Sequence, residues 1–402
     1  MTALPLSRLA GKIMPSPTLA MNQRAAELKA FGTDIIPLSL GEPDFDTPTH
    51  VKTAGIAAIA RNFTRYTAAS GTIELKKAIA AKLARENGID FAVDQIVAGS
   101  GAKIVIFAAL LSVLDPNDEV VVPAPYWVSY PDLVELARGV SVVAAASEMT
   151  ALKITPANLR SALSERTRAL IFNSPSNPSG VVYTAGEIQA LANVLIEFPK
   201  VWIITDELYE HLIFDNHHAV SFAKAAPALA DRVITINGFS KGYVMTGWRL
   251  GFAAGPKHVI ASIADLLSQM HGSPSSIAQA AAIEALEGDN SFLVHNRARF
   301  QSRRDLVLAR LAKVPGLSAV KPSGAFYVFV GCAQWIGRVS AGGCALSTDL
   351  DVTEALLEEA GVATVPGCAF GLSPFFRISF ALDDALLVKA IERIEHFGKA
   401  LS

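Results

Sequence analysis

Val201-Trp202-Ile203-Ile204-Thr205-Asp206 is a short apolar run closed by a carboxylate. It lacks the alternation of a half-solvated strand, which suits a strand buried on both faces of a parallel sheet. Six similar runs flank it. Gln95–Ala98, Glu119–Val122, Val140–Ala144 and Ala169–Phe172 precede it, and Arg232–Ile236 and Leu250–Ala253 follow. Helix signals fill the intervals. Thr184 and Glu187 have capping-box spacing ahead of Leu191, Val194 and Leu195. The stretch after Thr72 reads as helix to Asn87, where Gly88 supplies a left-handed stop. Strand, helix, strand in repetition marks an α/β fold. Leu250–Ala253 follows its predecessor too closely for a comfortable parallel crossover, so an antiparallel strand is expected there.

From about residue 290 the pattern changes. Helical stretches Asn296–Ala312, Thr353–Ala360 and Asp384–Phe397 surround strand-like pieces at Ala325–Val330 and Phe376–Phe380. Leu387, Ala390, Ile391, Ile394 and Leu401 make one apolar stripe on the last helix. A smaller α+β domain beside the first is expected. The 402 residues carry a formal net charge of −2, which gives no electrostatic case for nucleic acid or an acidic membrane. Cys332, Cys344 and Cys368 are too few and too scattered for a disulfide framework or a CxxC metal site. The run Ile104 to Leu114 falls short of the ~20 residues of a membrane span, and Met1 to Pro17 lacks a secretory pattern. A cytoplasmic protein is expected, with no metal, nucleic-acid or membrane partner.

Six features carry chemistry. Asp206 stands at a strand end, where open α/β sheets bind ligands; it is either a helix N-cap or a carboxylate facing that ligand. Lys241 follows the next run; it is either a solvated surface residue or, if desolvated, an amine ready to condense with an aldehyde. Arg249, between apolar residues, needs an anion. Asn173-Ser174-Pro175-Ser176-Asn177-Pro178-Ser179-Gly180 is first of all a turn. Gly99-Ser100-Gly101-Ala102-Lys103 joins a strand to a helix, and its backbone can cradle a phosphate, although it matches neither the GxGxxG fingerprint nor a Walker loop. Arg377, alone in Phe375-Phe376-Arg377-Ile378-Ser379-Phe380, is either salt-bridged structure or a carboxylate fork. Taken together they supply a phosphate cradle, an anion for a ring nitrogen, an amine for an aldehyde and a guanidinium for a carboxylate. That set describes pyridoxal 5'-phosphate with an amino acid.

Here a family likeness becomes specific. The sequence resembles the class I aminotransferases of fold type I, in the subgroup of bacterial aspartate, aromatic and prephenate aminotransferases, from about Met14 to the last helix. The matching stretches include Gly41-Glu42-Pro43-Asp44-Phe45-Asp46-Thr47-Pro48, Tyr66-Thr67, Pro123 to Tyr130 and Asn173 to Gly180. Thr205 to Glu210, Asn237 to Arg249 and Phe376-Arg377-Ile378-Ser379 complete the set.

The resemblance implies a large cofactor-binding domain over residues 46–290 with a seven-stranded, mostly parallel sheet. It also implies a small domain built from residues 1–45 and 291–402. Lys241 is then the lysine that forms a Schiff base with the cofactor, and Asp206 pairs with the ring nitrogen. Tyr209 and Asn177 bond the ring hydroxyl. Backbone groups of Gly101 and Ala102, with Ser240 and Arg249, hold the phosphate. Tyr66 reaches a phosphate in the neighbouring subunit, implying a homodimer with shared active sites. Trp127 stacks on the ring and touches substrate, and Arg377 forks onto the substrate α-carboxylate near Gly41.

The implied activity is ping-pong transfer of an amino group from an L-amino acid to a 2-oxo acid. Lys103 occupies the place where related aspartate enzymes carry a lysine near the distal carboxylate, implying aspartate and 2-oxoglutarate. One departure points elsewhere. Many relatives read Lys-Pro-Ser where this chain has Met14-Pro15-Ser16, and Lys12 lies two residues earlier. That leaves an aromatic-amino-acid, kynurenine or prephenate aminotransferase, or a β-lyase, as the alternative on the same scaffold.

Overall fold

The computed structural model describes residues 6–13 and 15–402. Met14, where the chain departs from the Lys-Pro-Ser of many relatives, lies outside the described residues. The strands in chain order are β1 (Ile36–Pro37), β2 (Ile96–Gly99), β3 (Glu119–Ala124), β4 (Val140–Ala145), β5 (Thr167–Asn173), β6 (Trp202–Asp206), β7 (Val233–Gly238) and β8 (Gly251–Ala254). Then come β9 (Ser318–Ala319), β10 (Tyr327–Gly331), β11 (Val362–Ala363), β12 (Val365–Pro366) and β13 (Phe375–Ser379).

All seven apolar runs became strands of one sheet, ordered β2-β8-β7-β6-β5-β3-β4. Neighbours are parallel except at β8, which runs antiparallel to both β2 and β7. The short link between β7 and β8 leaves no room for a crossover helix, as the sequence implied. β7 is buried at every position. β4 is not: Val140 and Val143 are nearly half exposed, because β4 closes one edge of the sheet and its neighbouring helices cover it only in part.

The capping box at Thr184 forms, with the Thr184 N–H donating to Glu187 Oε2 at 2.7 Å and the Glu187 N–H to Thr184 Oγ1 at 3.2 Å. The helix after Thr72 differs from expectation in its last turn. Ile73–Lys82 is α-helical, Leu83–Asn87 widens into a π-turn, and Gly88 then stops it at φ 64°. The helix expected to begin at Asn296 begins at Ser291, where the Asp289 carboxylate accepts from the Ser291 N–H and hydroxyl.

Beyond the large sheet, β12-β13-β10-β9 form an antiparallel sheet. Helix Asp384–Lys399 buries Leu387, Ala390, Ile391 and Ile394 in one core with Phe300, Val352 and Phe376. Leu401, past the helix end, is partly buried against the same core. Each fully buried leucine or isoleucine contributes about 1.5–3 kcal/mol. The chain's beginning joins this region. β1 pairs in parallel with β11, and helix Pro17–Ala30 packs Met21 and Ala25 against Ile35, Leu357 and Ala363. No helix among the described residues is long and apolar enough to cross a membrane.

Candidate active site

Parallel strands leave their last carbonyls and the residues just beyond them at one edge of the sheet. At that edge Asn173 ends β5, Asp206 ends β6, and Lys241 follows β7. A cavity of about 390 Å³ opens there. Every candidate from the sequence lines it except Gly101, which lies beside it, and Tyr66. Tyr66 is elsewhere on the surface and 95% exposed.

Asp206 is buried. Its Oδ2 accepts from the Tyr130 hydroxyl at 2.7 Å and its Oδ1 from the Leu208 N–H at 3.2 Å. Burial raises its carboxyl above the usual aspartate range, while the bonds from Tyr130 and Leu208 and the charge of Lys241 oppose that rise. A cationic partner would stabilise its ionised form.

Lys241 Nζ donates to the Gly41 carbonyl at 2.5 Å. Burial of the ammonium lowers it to about 8. Glu42 and Asp206 pull the other way, and Arg377 and Arg249 add to the lowering. An amine so poised is neutral in a useful fraction near physiological pH, which nucleophilic or proton-transfer work requires.

Arg377 is 2% exposed and lies in β13 opposite Phe329 of β10. Its Nη1 donates to Asn177 Oδ1 at 2.9 Å and its Nη2 to the Ser39 carbonyl at 2.7 Å. Its guanidinium also sits over the Tyr327 ring, 4.4 Å from the centroid. No carboxylate of the chain pairs with it among the described residues, and its buried Nε has no partner. A buried guanidinium held only by neutral acceptors is incompletely compensated, and it faces a cavity that an anion can enter. The alternative of a structural salt bridge is therefore removed.

At the cradle, Gly101 has φ 101°, and a Cβ there would lie 2.6 Å from Arg249 Nη2. Only glycine lets that guanidinium approach so closely. The Gly101 N–H, however, donates to the Gly99 carbonyl at 2.7 Å. The backbone donors left over for an anion therefore begin at Ala102, the first residue of helix Ala102–Val113. Ser240 and Arg249 line the same cavity. Lys103 Nζ rests over the Trp127 ring at 4.9 Å. Burial lowers its ammonium, as does the charge of Arg249, with Asp132 opposing. Lys12 does not stand in for the missing lysine, since its Nζ pairs with Glu135 at 2.6 Å on the surface.

These residues fit pyridoxal 5'-phosphate. The side-chain-free Gly101 beside Arg249 suits the phosphate, buried Asp206 the ring nitrogen, and the low-lying amine of Lys241 the aldehyde. Unpaired Arg377 suits the carboxylate of an amino acid. Three neighbours were not legible as site residues. Tyr130 lay within the quoted Pro123 to Tyr130 stretch, but nothing local marks it as the donor to Asp206. Tyr327, whose hydroxyl is 3.0 Å from that of Tyr209, reads as an ordinary strand residue. Glu42, whose Oε2 accepts from Thr246 Oγ1 at 2.9 Å, reads as part of a loop.

Compared with known proteins, residues 33–394 match the family model for aminotransferase class I and II. The aspartate/prephenate aminotransferase of Cereibacter sphaeroides is 49% identical over 397 residues, 99% of each chain. Among solved structures, the aspartate aminotransferase of Rhizobium meliloti superposes with a TM-score of 0.97 at 46% identity, covering 100% of both chains. The Thermus thermophilus aspartate aminotransferase with maleate gives 0.91 at 39% identity, covering 98% of this chain and 100% of that one.

Proposed function

The chain belongs to the class I and II aminotransferases, which use pyridoxal 5'-phosphate, and we propose that it moves the amino group of L-aspartate to 2-oxoglutarate. The observation that carries the choice of substrate is Lys103. It shares the cavity with Arg377, so the cleft offers two cationic groups to a substrate with two carboxylates. The maleate of the Thermus thermophilus relative is likewise a dicarboxylate.

The cofactor supplies an aldehyde that carries the amino group and a ring that accepts electrons from the substrate α-carbon. Ala102 backbone, Ser240 and Arg249 would hold its phosphate, Asp206 its ring nitrogen, and Tyr209 and Asn177 its hydroxyl. Arg377 takes the substrate α-carboxylate in a two-pronged fork and so orients the α-hydrogen. Lys241 Nζ removes that hydrogen as a general base and later returns it as a general acid. Asp206 keeps a negative charge beside the ring nitrogen while electron density builds there. Trp127 covers one side of the cleft and limits the access of water. The same residues work in reverse on the second 2-oxo acid, which gives ping-pong kinetics.

Residues 1–45 and 291–402 act as one small domain beside residues 46–290. The assembly is a homodimer: Tyr66, with exposed Ile56, Ile59 and Ile73 in the same stretch of chain, presents apolar surface suited to a second copy. The three cysteines are free, which suits a reducing, cytoplasmic setting.

The test is an absorption spectrum of the purified protein with pyridoxal phosphate. The visible band should collapse toward the near-ultraviolet on adding aspartate and return with 2-oxoglutarate. A band that ignores aspartate but responds to phenylalanine would move the specificity to aromatic substrates. No band at all would remove the cofactor assignment. Lys103→Ala should raise KM for aspartate at least about tenfold more than for phenylalanine, the scale of one charge-assisted hydrogen bond. Equal losses for both substrates would deny Lys103 a role at the distal carboxylate.

A further inference from the structure

Strands β6 and β7 end at neighbouring positions, and their ladder stops at the pair Asp206–Ile236. Beyond it run two irregular segments. One follows Asp206 and carries Tyr209, the other carries Ser240 and Lys241. Past the last pair the Glu207 N–H still donates to the Ile236 carbonyl at 3.0 Å, and side chains extend the tie from there.

Two side chains just past Tyr209 reach the lysine segment. Asn237 Nδ2 donates to Glu210 Oε1 at 2.6 Å, while Asn237 Oδ1 accepts the Gly238 N–H at 2.7 Å. The His211 ring lies against Gly242, where an added Cβ would stand 2.6 Å from His211 Nδ1. It also meets the Tyr243 ring edge-on at 5.0 Å. The lysine segment is thus gripped on both sides of Lys241.

The gripping residues are themselves held. Lys82 Nζ donates to Glu210 Oε1, and also to Asn87 Oδ1 at 2.8 Å. Asn87 Nδ2 donates to Glu210 Oε2 at 2.6 Å, and His211 Nε2 lies 2.9 Å from Glu86 Oε2. Lys82, Glu86 and Asn87 all come from the end of one helix, at the widened π-turn. The Lys82 and Glu210 side chains are 1% and 6% exposed. Glu86, Glu210 and His211 have donor atoms within 4.8 Å of one another, a spacing that would suit a metal. Here the Lys82 ammonium already supplies the positive charge. A buried ion pair returns little net stability for the desolvation of two charges. What this one does return is a fixed relation between two loops.

We propose that Glu210 and His211, anchored by Lys82 and Asn87, are positioning residues that set the Lys241 loop in register with Asp206 and Tyr209. This inference rests on the function proposed above. None of the four touches substrate; each acts through the placement of another group.

Two variants test it, each as cofactor-saturated enzyme beside the parent. Lys82→Met/Glu210→Leu replaces the ion pair by apolar side chains, which commonly preserves stability. Asn237→Ala leaves that pair intact and removes its tie to the lysine loop, together with the local bond from the Gly238 N–H. Both should melt within a few degrees of the parent. Both should lose roughly 10- to 100-fold in kcat, as sub-ångström to ångström misplacement does, with KM for aspartate changed less than about threefold. Both should also bind pyridoxal phosphate more weakly and show reduced visible circular dichroism from the bound cofactor, a readout of its orientation. If the variants match the parent in kcat, cofactor affinity and dichroism, the proposal is overturned. Should the double variant not fold, Asn237→Ala alone decides by the same readouts. A parent that does not respond to aspartate would instead sink the proposed function.

Discussion

Lys241→Ala should be folded and inactive. The side chain lines the cleft and meets the cores only where its ammonium faces the Phe326 ring at 5.9 Å, so its removal should leave the sheet folded with a melting temperature near the parent's. Turnover of aspartate should fall by far more than the roughly 10²–10⁴-fold that a positioned general base contributes, because the same nitrogen is proposed both to anchor the cofactor and to carry the α-proton. Its visible band should also be altered. A second measurement concerns the amine itself. An ordinary lysine ionises near 10.4, whereas burial, helped by Arg377 and Arg249, brings Lys241 down to about 8. In cofactor-free protein the neutral, reactive form therefore prevails above about pH 8, some two units lower than for a surface lysine. Acylation of the Lys241 peptide, followed by mass spectrometry against pH, should rise through that region. Near-normal turnover of Lys241→Ala would end the assignment. A modification midpoint like that of the surface lysines would show that the pocket does not desolvate the amine.

Asp206 carries the second large effect. Its carboxylate lies in a buried site where water cannot rearrange to replace a lost charge, so removing it should cost about 3 kcal/mol of barrier, or roughly 10²–10³ in kcat. Asp206→Asn separates charge from shape. Its side-chain oxygen can still accept from the Tyr130 hydroxyl, yet it carries no negative charge for the ring nitrogen. Asp206→Asn should lose nearly as much kcat as Asp206→Ala, with weaker cofactor binding in both. Turnover of Asp206→Asn within tenfold of the parent would mean that Asp206 acts mainly by holding Tyr130, not by its charge.

Much of this is legible in the sequence. The seven apolar runs were legible as strands because short length, Val and Ile content, the lack of alternation and the helix caps between them are properties of neighbouring residues. The antiparallel β8 followed from link length alone. The types of Lys241, Asp206, Arg249 and Arg377, in their order along the chain, pointed to the cofactor and marked Arg377 as the candidate for a substrate carboxylate. Edge effects were not readable: Val140 and Val143 looked buried, but β4 has a neighbour on one side only. Nor was the use of the Gly101 N–H within its own turn, which moved the free donors of the cradle to Ala102.

By itself, then, the sequence determined the fold class and the cofactor and singled out the candidate reacting groups, since local pattern and residue chemistry suffice for that. The tertiary structure alone decided which groups compensate one another. Tyr130 and Asp206 are 76 positions apart, and Arg377 and Ser39 are 338 apart. The Lys82–Glu210 pair spans 128. Such partnerships depend on how sheet edge, helix end and chain termini pack together. The low dielectric of that packed interior then sets how far each charge is shifted and whether a partner from outside the chain is required.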